Sequence, residues 1–387
     1  MSTPQETMVH DFDDRGFLRR LSWFDWLWAA AFLVGTIYAS VYFAEWMDGY
    51  EQAILYGTYG VTVWIGWNWK AARIFTIVVT LVTLFAVSRY PTLSAGTEDF
   101  FLNYLVSSQS AIMWMCALFP AAMVFYFVGL IARAPFPEKV GTALMWGASG
   151  AALVGLLVRW WESYLIAPEV GRIPVTNLYE VFVLFGLCTG LLYLYYEERH
   201  RTRALGGFVG IILTASVGFL LWYHFDRQAH EIDPLIPALQ SWWMKIHVPT
   251  NFVAYGAFSI AAMIGVAYLF YARNPEAWER RGLPSAEVMD DIMYKNVALG
   301  FVFFTVATIL GALWAAEAWG GYWSWDPKET WSLILWLNYA AWLHLRFTKG
   351  WRGVPMAIWA IIGLLVTTFT FLGVNIFLSG LHSYGEL

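Results

Sequence analysis

Charge is what this chain has least of. Asp, Glu, Lys and Arg make up 13% of its 387 residues, while apolar residues make up 59%. A soluble domain of this length has too little interior to hide so much apolar surface, which excludes a water-soluble globular protein. Cysteine is equally scarce. The two present, Cys116 and Cys188, lie in separate apolar runs far apart, which argues against a CxxC redox pair and a disulfide framework. Any thiol chemistry then has to come from a partner. Low-complexity tracts and internal repeats are also missing. The first apolar run starts near Trp23, behind a polar tail and with no small-residue cleavage site after it, so it reads as a retained anchor. The net charge of −5 is itself uninformative, because in a membrane protein the placement of charge matters more than its sum. Lipid is the expected surrounding, and no nucleic-acid partner is expected.

Long apolar runs are what the chain has in abundance. Runs near 23–43, 52–68, 71–88, 110–131, 143–160, 178–196, 205–223, 250–271, 296–316, 331–347 and 354–378 approach the roughly 20 residues that cross a bilayer core. They predict an all-α, polytopic membrane bundle of about eleven transmembrane helices, or nine if the short second and third runs are re-entrant. With the amino terminus inside, seventeen of the 23 Lys and Arg fall on the inner side and six on the outer: Arg89, Arg159, Arg172, Arg227, Lys245 and Lys328. Every inner loop then carries positive charge, as the positive-inside rule asks. The carboxyl terminus is outside, and so is the loop 319–331.

That loop reads WGGYWSWDPKETW. Its ending has the order of a helix start, with Asp326 as N-cap, Pro327 first and Glu329 closing a capping box. Belt tryptophans scatter around spans, but Trp319, Trp323, Trp325 and Trp331 cluster with Tyr322 beside two glycines. The pattern suits a platform for a large planar apolar ligand.

Topology sorts the seven histidines. His10 and His200 fall in inner polar segments and read as solvated, and His224 and His230 fall in an outer loop without an evident partner. His247, in WWMKIHVPTN, and His382, in LSGLHSYG, lie on the same outer face as the aromatic loop. His344 is thirteen residues into the run that begins at Trp331, about 20 Å down a helix. An ionisable group at that depth marks a functional site, with interhelical hydrogen bonding as the bland alternative. Two outer imidazoles beside an indole platform fit axial ligation of haem, with helix starts and cations such as Lys328 and Arg159 available to the propionates. Snorkelling is the plainer reading of Arg159, which precedes Trp160 and Trp161.

These residues carry a family resemblance. WGGYWSWDPKETW resembles the tryptophan-rich WWD signature of haem-handling proteins, and its DPKETW ending is most similar to the CcsA/ResC family of System II cytochrome c biogenesis. PVTNLYE (174–180), PALQSWWMKIHVPTNFVAYG (237–256) and GLHSYG (380–385) match the same family in order. The resemblance covers roughly 140–387, which divides the chain into an amino-terminal membrane region, 1–140, of unassigned role and a CcsA-like region, 141–387. It implies a haem lyase-type synthase that works with a CcsB/ResB partner, exports haem b and attaches it to reduced CxxCH motifs of apocytochrome c. Thiol-reducing proteins are further expected partners. His247 and His382 are implied as the axial ligands of an outer haem and the residues on which attachment depends. His344 is implied as one ligand of a haem within the membrane, the other coming from the CcsB side. The implied location is a bacterial plasma membrane or a thylakoid membrane. Two other classes compete: a haem transporter or chaperone without ligation activity, and an aromatic-rich transporter for lipid or quinone with histidine proton relays.

Overall fold

The computed structural model describes residues 17–382, and among them there is helix but no strand. His10, Arg15 and the last residues of GLHSYG lie outside the described residues. The expected runs all become helices: α1 (Trp23–Tyr42), α2 (Gly49–Asn68), α3 (Lys70–Ser88), α4 (Ser108–Ala132), α5 (Pro135–Ile166), α6 (Leu178–His200), α7 (Gly206–Arg227), α8 (Met244–Arg273), α9 (Ala286–Trp319), α10 (Pro327–Thr348) and α11, which begins at Val354–Thr368. Beyond Thr368, α11 passes through a π turn, Phe369–Gly373, and ends in Val374–Phe377.

Nine of the described helices are long and apolar enough to cross a membrane, which makes this an integral membrane protein. The two that fall short are α2 and α10, so α3, which the shorter count set aside, qualifies after all. Length is not what separates them, since 20 and 22 residues reach about 30 and 33 Å. Composition is. α10 carries Lys328, Glu329, Asn338, His344 and Arg346, and α2 carries Glu51, Gln52, Asn68 and four glycines.

The chain forms two compact units, Met1–Thr76 and Ile77–Leu387. In the first, α1 packs on α2 around Trp28, Ala29 and Val63. Gly66 permits the approach, because a Cβ there would stand 2.3 Å from the Trp28 indole nitrogen. A buried Asp25 is paired with Arg73 and accepts both donors of Ser22.

The second unit is arranged around α6 and α8, whose most apolar windows are 72% and 78% buried, against 44% or less for every other candidate span. Helices α5 and α7 pack against α6, α4 packs on α5 and α7, and α9 and α11 flank α8. Two buried carboxylates inside this unit are paired. Glu162 accepts from Tyr90 Oη at 2.5 Å and from the Ser108 amide at 3.0 Å, and Glu197 accepts from Tyr126 and Thr142 hydroxyls at 2.6 Å. Such pairing is required where neither lipid nor water can satisfy a buried carboxylate.

Candidate functional site

The aromatic loop begins where α9 ends. Gly320 takes φ 78°, the left-handed conformation that terminates a helix and that glycine adopts without strain. Trp325 takes φ 61°, an uncommon conformation for a bulky residue, and its side chain is left 69% exposed. Tyr322 is also exposed, whereas Trp319, Trp323 and Trp331 are half-buried. Trp323 meets Trp325 edge-on at 5.9 Å, and Trp331 lies on Phe369 at 4.2 Å. Exposed rings on an anchored base are what a flat apolar ligand needs.

Asp326 does two jobs. As N-cap of α10 its Oδ1 accepts the Lys328 amide at 2.8 Å, while Glu329 Oε2 accepts the amides of Asp326 and Ser324 at 3.2 and 2.6 Å. The same carboxylate also reaches a segment 55 residues away. Its Oδ2 accepts the Leu381 amide at 2.6 Å, and its Oδ1 stands 2.9 Å from His382 Nδ1. Gly380 makes room, since a Cβ there would stand 2.1 Å from Asp326 Oδ2. Burial pushes the Asp326 carboxyl up, but the Lys328 amide, His382 and the Leu381 amide outweigh it and hold the group below its ordinary value. Burial pushes the His382 imidazole below its ordinary value, with Asp326 acting against that shift. Trp319 closes on His382 edge-on at 4.7 Å.

His247 stands in the first turns of α8 and turns its ring onto α9. Nδ1 is 2.8 Å from the Ala307 carbonyl, and Nε2 is 2.9 Å from the Asn251 amide nitrogen. Gly311 allows this, because a Cβ there would stand 2.8 Å from His247 Cε1, and Trp314 meets the ring edge-on at 5.7 Å.

Both histidines therefore share one arrangement. Each offers Nδ1 to an acceptor, a carbonyl for His247 and a carboxylate for His382, so each neutral ring carries its proton on Nδ1 and its lone pair on Nε2. An Nδ1–H tied to an oxygen is the usual support of an imidazole that ligates a metal through Nε2. The donor set and the aromatic loop beside it fit haem iron and a porphyrin face.

The other expected residues are placed differently. Lys328 is tied down, donating from Nζ to the Phe371 carbonyl in the π turn and to Asn375 Oδ1, both at 2.9 Å. Among the described residues no contact gathers Arg159 to the loop, and it does not snorkel. It is buried, pairs through Nε with Glu180 at 2.8 Å, and donates to the carbonyls of His230 and Glu231. Its guanidinium is spent holding the segment after α7. His344 is exposed, and among the described residues its side chain makes no hydrogen bond to another helix. Because α10 begins at Pro327 rather than Trp331, His344 lies about 26 Å from the helix start and only about 6 Å from its end.

Three histidines read from sequence as solvated or partnerless are neither. His200 is half-buried and stacks on Tyr196 at 6.1 Å. His224 is buried in the last turn of α7 and stacks on His230 at 4.2 Å. Residues that sequence reasoning passed over include Ala307, Gly311, Gly380 and Asn251. Only Asn251 left a local signal, its four-residue spacing from His247 on one helix face.

Comparison with known proteins follows the same residues. The family model described as cytochrome C assembly protein matches residues 175–382. A CcsA cytochrome c biogenesis protein of Synechococcus sp. (strain JA-3-3Ab) is 35% identical over 327 residues, covering 68% of this chain and 91% of that protein. One from Chlamydomonas reinhardtii is 37% identical over 248 residues, covering 62% and 67%. Among solved structures, the cytochrome c heme lyase CcmF aligns with a TM-score of 0.51 at 20% identity, over 69% of this chain. That likeness concerns the fold, and the chain spans about half the length of CcmF.

Proposed function

Because the chain belongs to the CcsA family of cytochrome c biogenesis proteins and has a role in cytochrome c maturation, we propose that it is the haem-handling subunit of a System II cytochrome c synthase. In this reading it works with a CcsB/ResB partner, moves haem b to the outer face, and promotes thioether attachment to reduced CxxCH of apocytochrome c. The observation that carries the reading is the pair His247 and His382, each with Nδ1 held by an oxygen, with His382 set against Trp319 of the aromatic loop.

Haem is the substrate, and the chain's residues act on it by position. Trp323, Trp325 and Tyr322 cover a porphyrin face, and the two imidazoles fix the plane of the macrocycle by holding its iron. Attachment adds a cysteine S–H across a haem vinyl group: an S–C bond forms, the S–H bond breaks, and the proton ends on the other vinyl carbon, so no electron leaves the pair. Holding the vinyl edge against a bound CxxCH segment makes that addition effectively intramolecular, which is where the rate gain lies. The motif histidine then displaces one chain imidazole and releases the product. Lys328 and Arg159 have internal partners, which a propionate would have to replace.

The exposure of His344 near the inner end of α10 supports a second haem position shared with a partner helix, for which this chain supplies one ligand. The test is maturation of a reporter cytochrome c in a host without its own pathway, given this chain and its partner. Covalent haem should appear with the wild type, fall severely with His247→Ala or His382→Ala, and return in part with added imidazole. Haem delivered to the outer face without covalent product in the wild type would favour a transporter that performs no ligation.

A further inference from the structure

Axial ligation through His247 Nε2 meets an obstacle on the same helix: the amide nitrogen of Asn251 is already on that atom, at 2.9 Å. The direction of this hydrogen bond follows from its neighbours. Ala307 offers Nδ1 a carbonyl oxygen, which only accepts, so the ring proton sits on Nδ1 and Nε2 of the neutral ring has only a lone pair to give. Asn251 must therefore present its NH2 group to Nε2, which makes it a direct competitor for the electrons that a metal would take.

The two sides of this contact are not equally free to move. The imidazole is clamped against α9 by the Ala307 carbonyl, by the missing side chain at Gly311 and by the edge of Trp314. Asn251 is one turn further along α8, and no hydrogen bond to its carboxamide is found among the described residues other than that with His247. Rotation of its side chain uncovers Nε2 without any change in the main chain.

Building on the haem-handling reading above, we infer that Asn251 is a reversible cap on the ligating atom of His247, a positioning residue that holds Nε2 in the haem-free chain and must swing aside for haem to load. It keeps the ring in the tautomer that ligates, and it opposes ligation by a neutral hydrogen bond that the iron has to replace.

Two substitutions should then act in opposite directions. Asn251→Ala removes the competitor while Ala307 still sets the tautomer, so hemin should bind roughly two- to tenfold more tightly and faster. Asn251→Asp places a carboxylate on Nε2, which favours a proton there and blocks the lone pair, so hemin should bind roughly tenfold or more weakly. A merely structural asparagine would give loss in both.

The experiment titrates haem-depleted full-length protein, purified with its partner, with hemin and follows the Soret band for wild type, both Asn251 variants and His247→Ala. Gain with Ala and loss with Asp supports the cap. If His247→Ala fails to bind while Asn251→Ala binds no better than wild type, the cap is overturned and the haem reading survives. If His247→Ala binds like wild type, the outer-site reading itself fails. Should the variants not fold, the ring 15N shifts of His247 in haem-free wild type decide the matter. The Nδ1–H tautomer is expected, and an Nε2–H ring would overturn the inference.

Discussion

Replacing Asp326 by serine separates the two jobs that this carboxylate performs. Serine ranks with aspartate as an N-cap, so α10 should keep its first turn, whereas loss of the cap altogether costs about 1 kcal/mol. The shorter side chain cannot also reach the Leu381 amide and His382 Nδ1, now held at 2.6 and 2.9 Å. Two hydrogen bonds to an ionised group are lost, each worth about 1.5–3 kcal/mol in a typical protein, with partial recovery as water enters. The consequence for the site is sharper than that for the fold. Removing the oxygen partner of a metal-ligating histidine lowers metal affinity about 10–100-fold. Hemin titration of Asp326→Ser should therefore show weakened binding with near-normal helix content and elution. Asp326→Ala should lose both cap and ligand support, and Asp326→Asn, which keeps an acceptor of the same shape, should fall between. If Asp326→Ser binds hemin like wild type, Asp326 is a helix cap and nothing more.

Other outcomes follow from the same geometry. Gly311→Ala should stabilise α9 by helix propensity, about 1 kcal/mol, yet lower hemin uptake by forcing His247 off its seat, since the new Cβ would stand 2.8 Å from Cε1; unchanged uptake would refute the seat. His344→Ala should lower the haem-to-protein ratio of monodisperse complex even with both outer histidines intact, and an unchanged ratio would remove the inner position. Burial depresses the folded value of His382 below about 6.5, so its neutral form is favoured in the fold and its contribution to stability is complete above that pH and lost as pH falls through the folded value. The melting temperature of the haem-free protein should accordingly drop between pH 7 and pH 5 more steeply for wild type than for His382→Ala, and parallel curves would contradict this.

The helices were legible because apolar runs of bilayer length admit little else, and all eleven runs are helical. Span by span the reading was weaker. α10 reaches across a bilayer in length but carries Glu329 and Arg346 into buried positions, and Arg346 is matched by Asp290 at 2.6 Å on α9, a pairing no single run reveals. In the site, Asp326 was legible as a cap because its partners lie two and three residues away. Its grip on Leu381 and His382 was not, because they lie 55 and 56 residues further along the chain. Arg159 and Lys328 could be sorted to a side by the distribution of charge, but whether they are free depends on tertiary partners, Glu180 for Arg159 and Asn375 for Lys328. The stacked His224 and His230 were hidden for the same reason. Asn251 alone was within reach, one helical turn from His247.

In the proposed reading His247 and His382 hold one haem between them. The absorption spectrum of the purified full-length complex, oxidised and reduced, tests it most directly when recorded for wild type and for His247→Ala, His382→Ala and His344→Ala. A low-spin, six-coordinate haem is predicted in wild type, with the outer-site signal lost or shifted to five-coordinate in either outer variant and restored to six-coordinate by imidazole. Spectra of both outer variants identical to wild type would contradict the account.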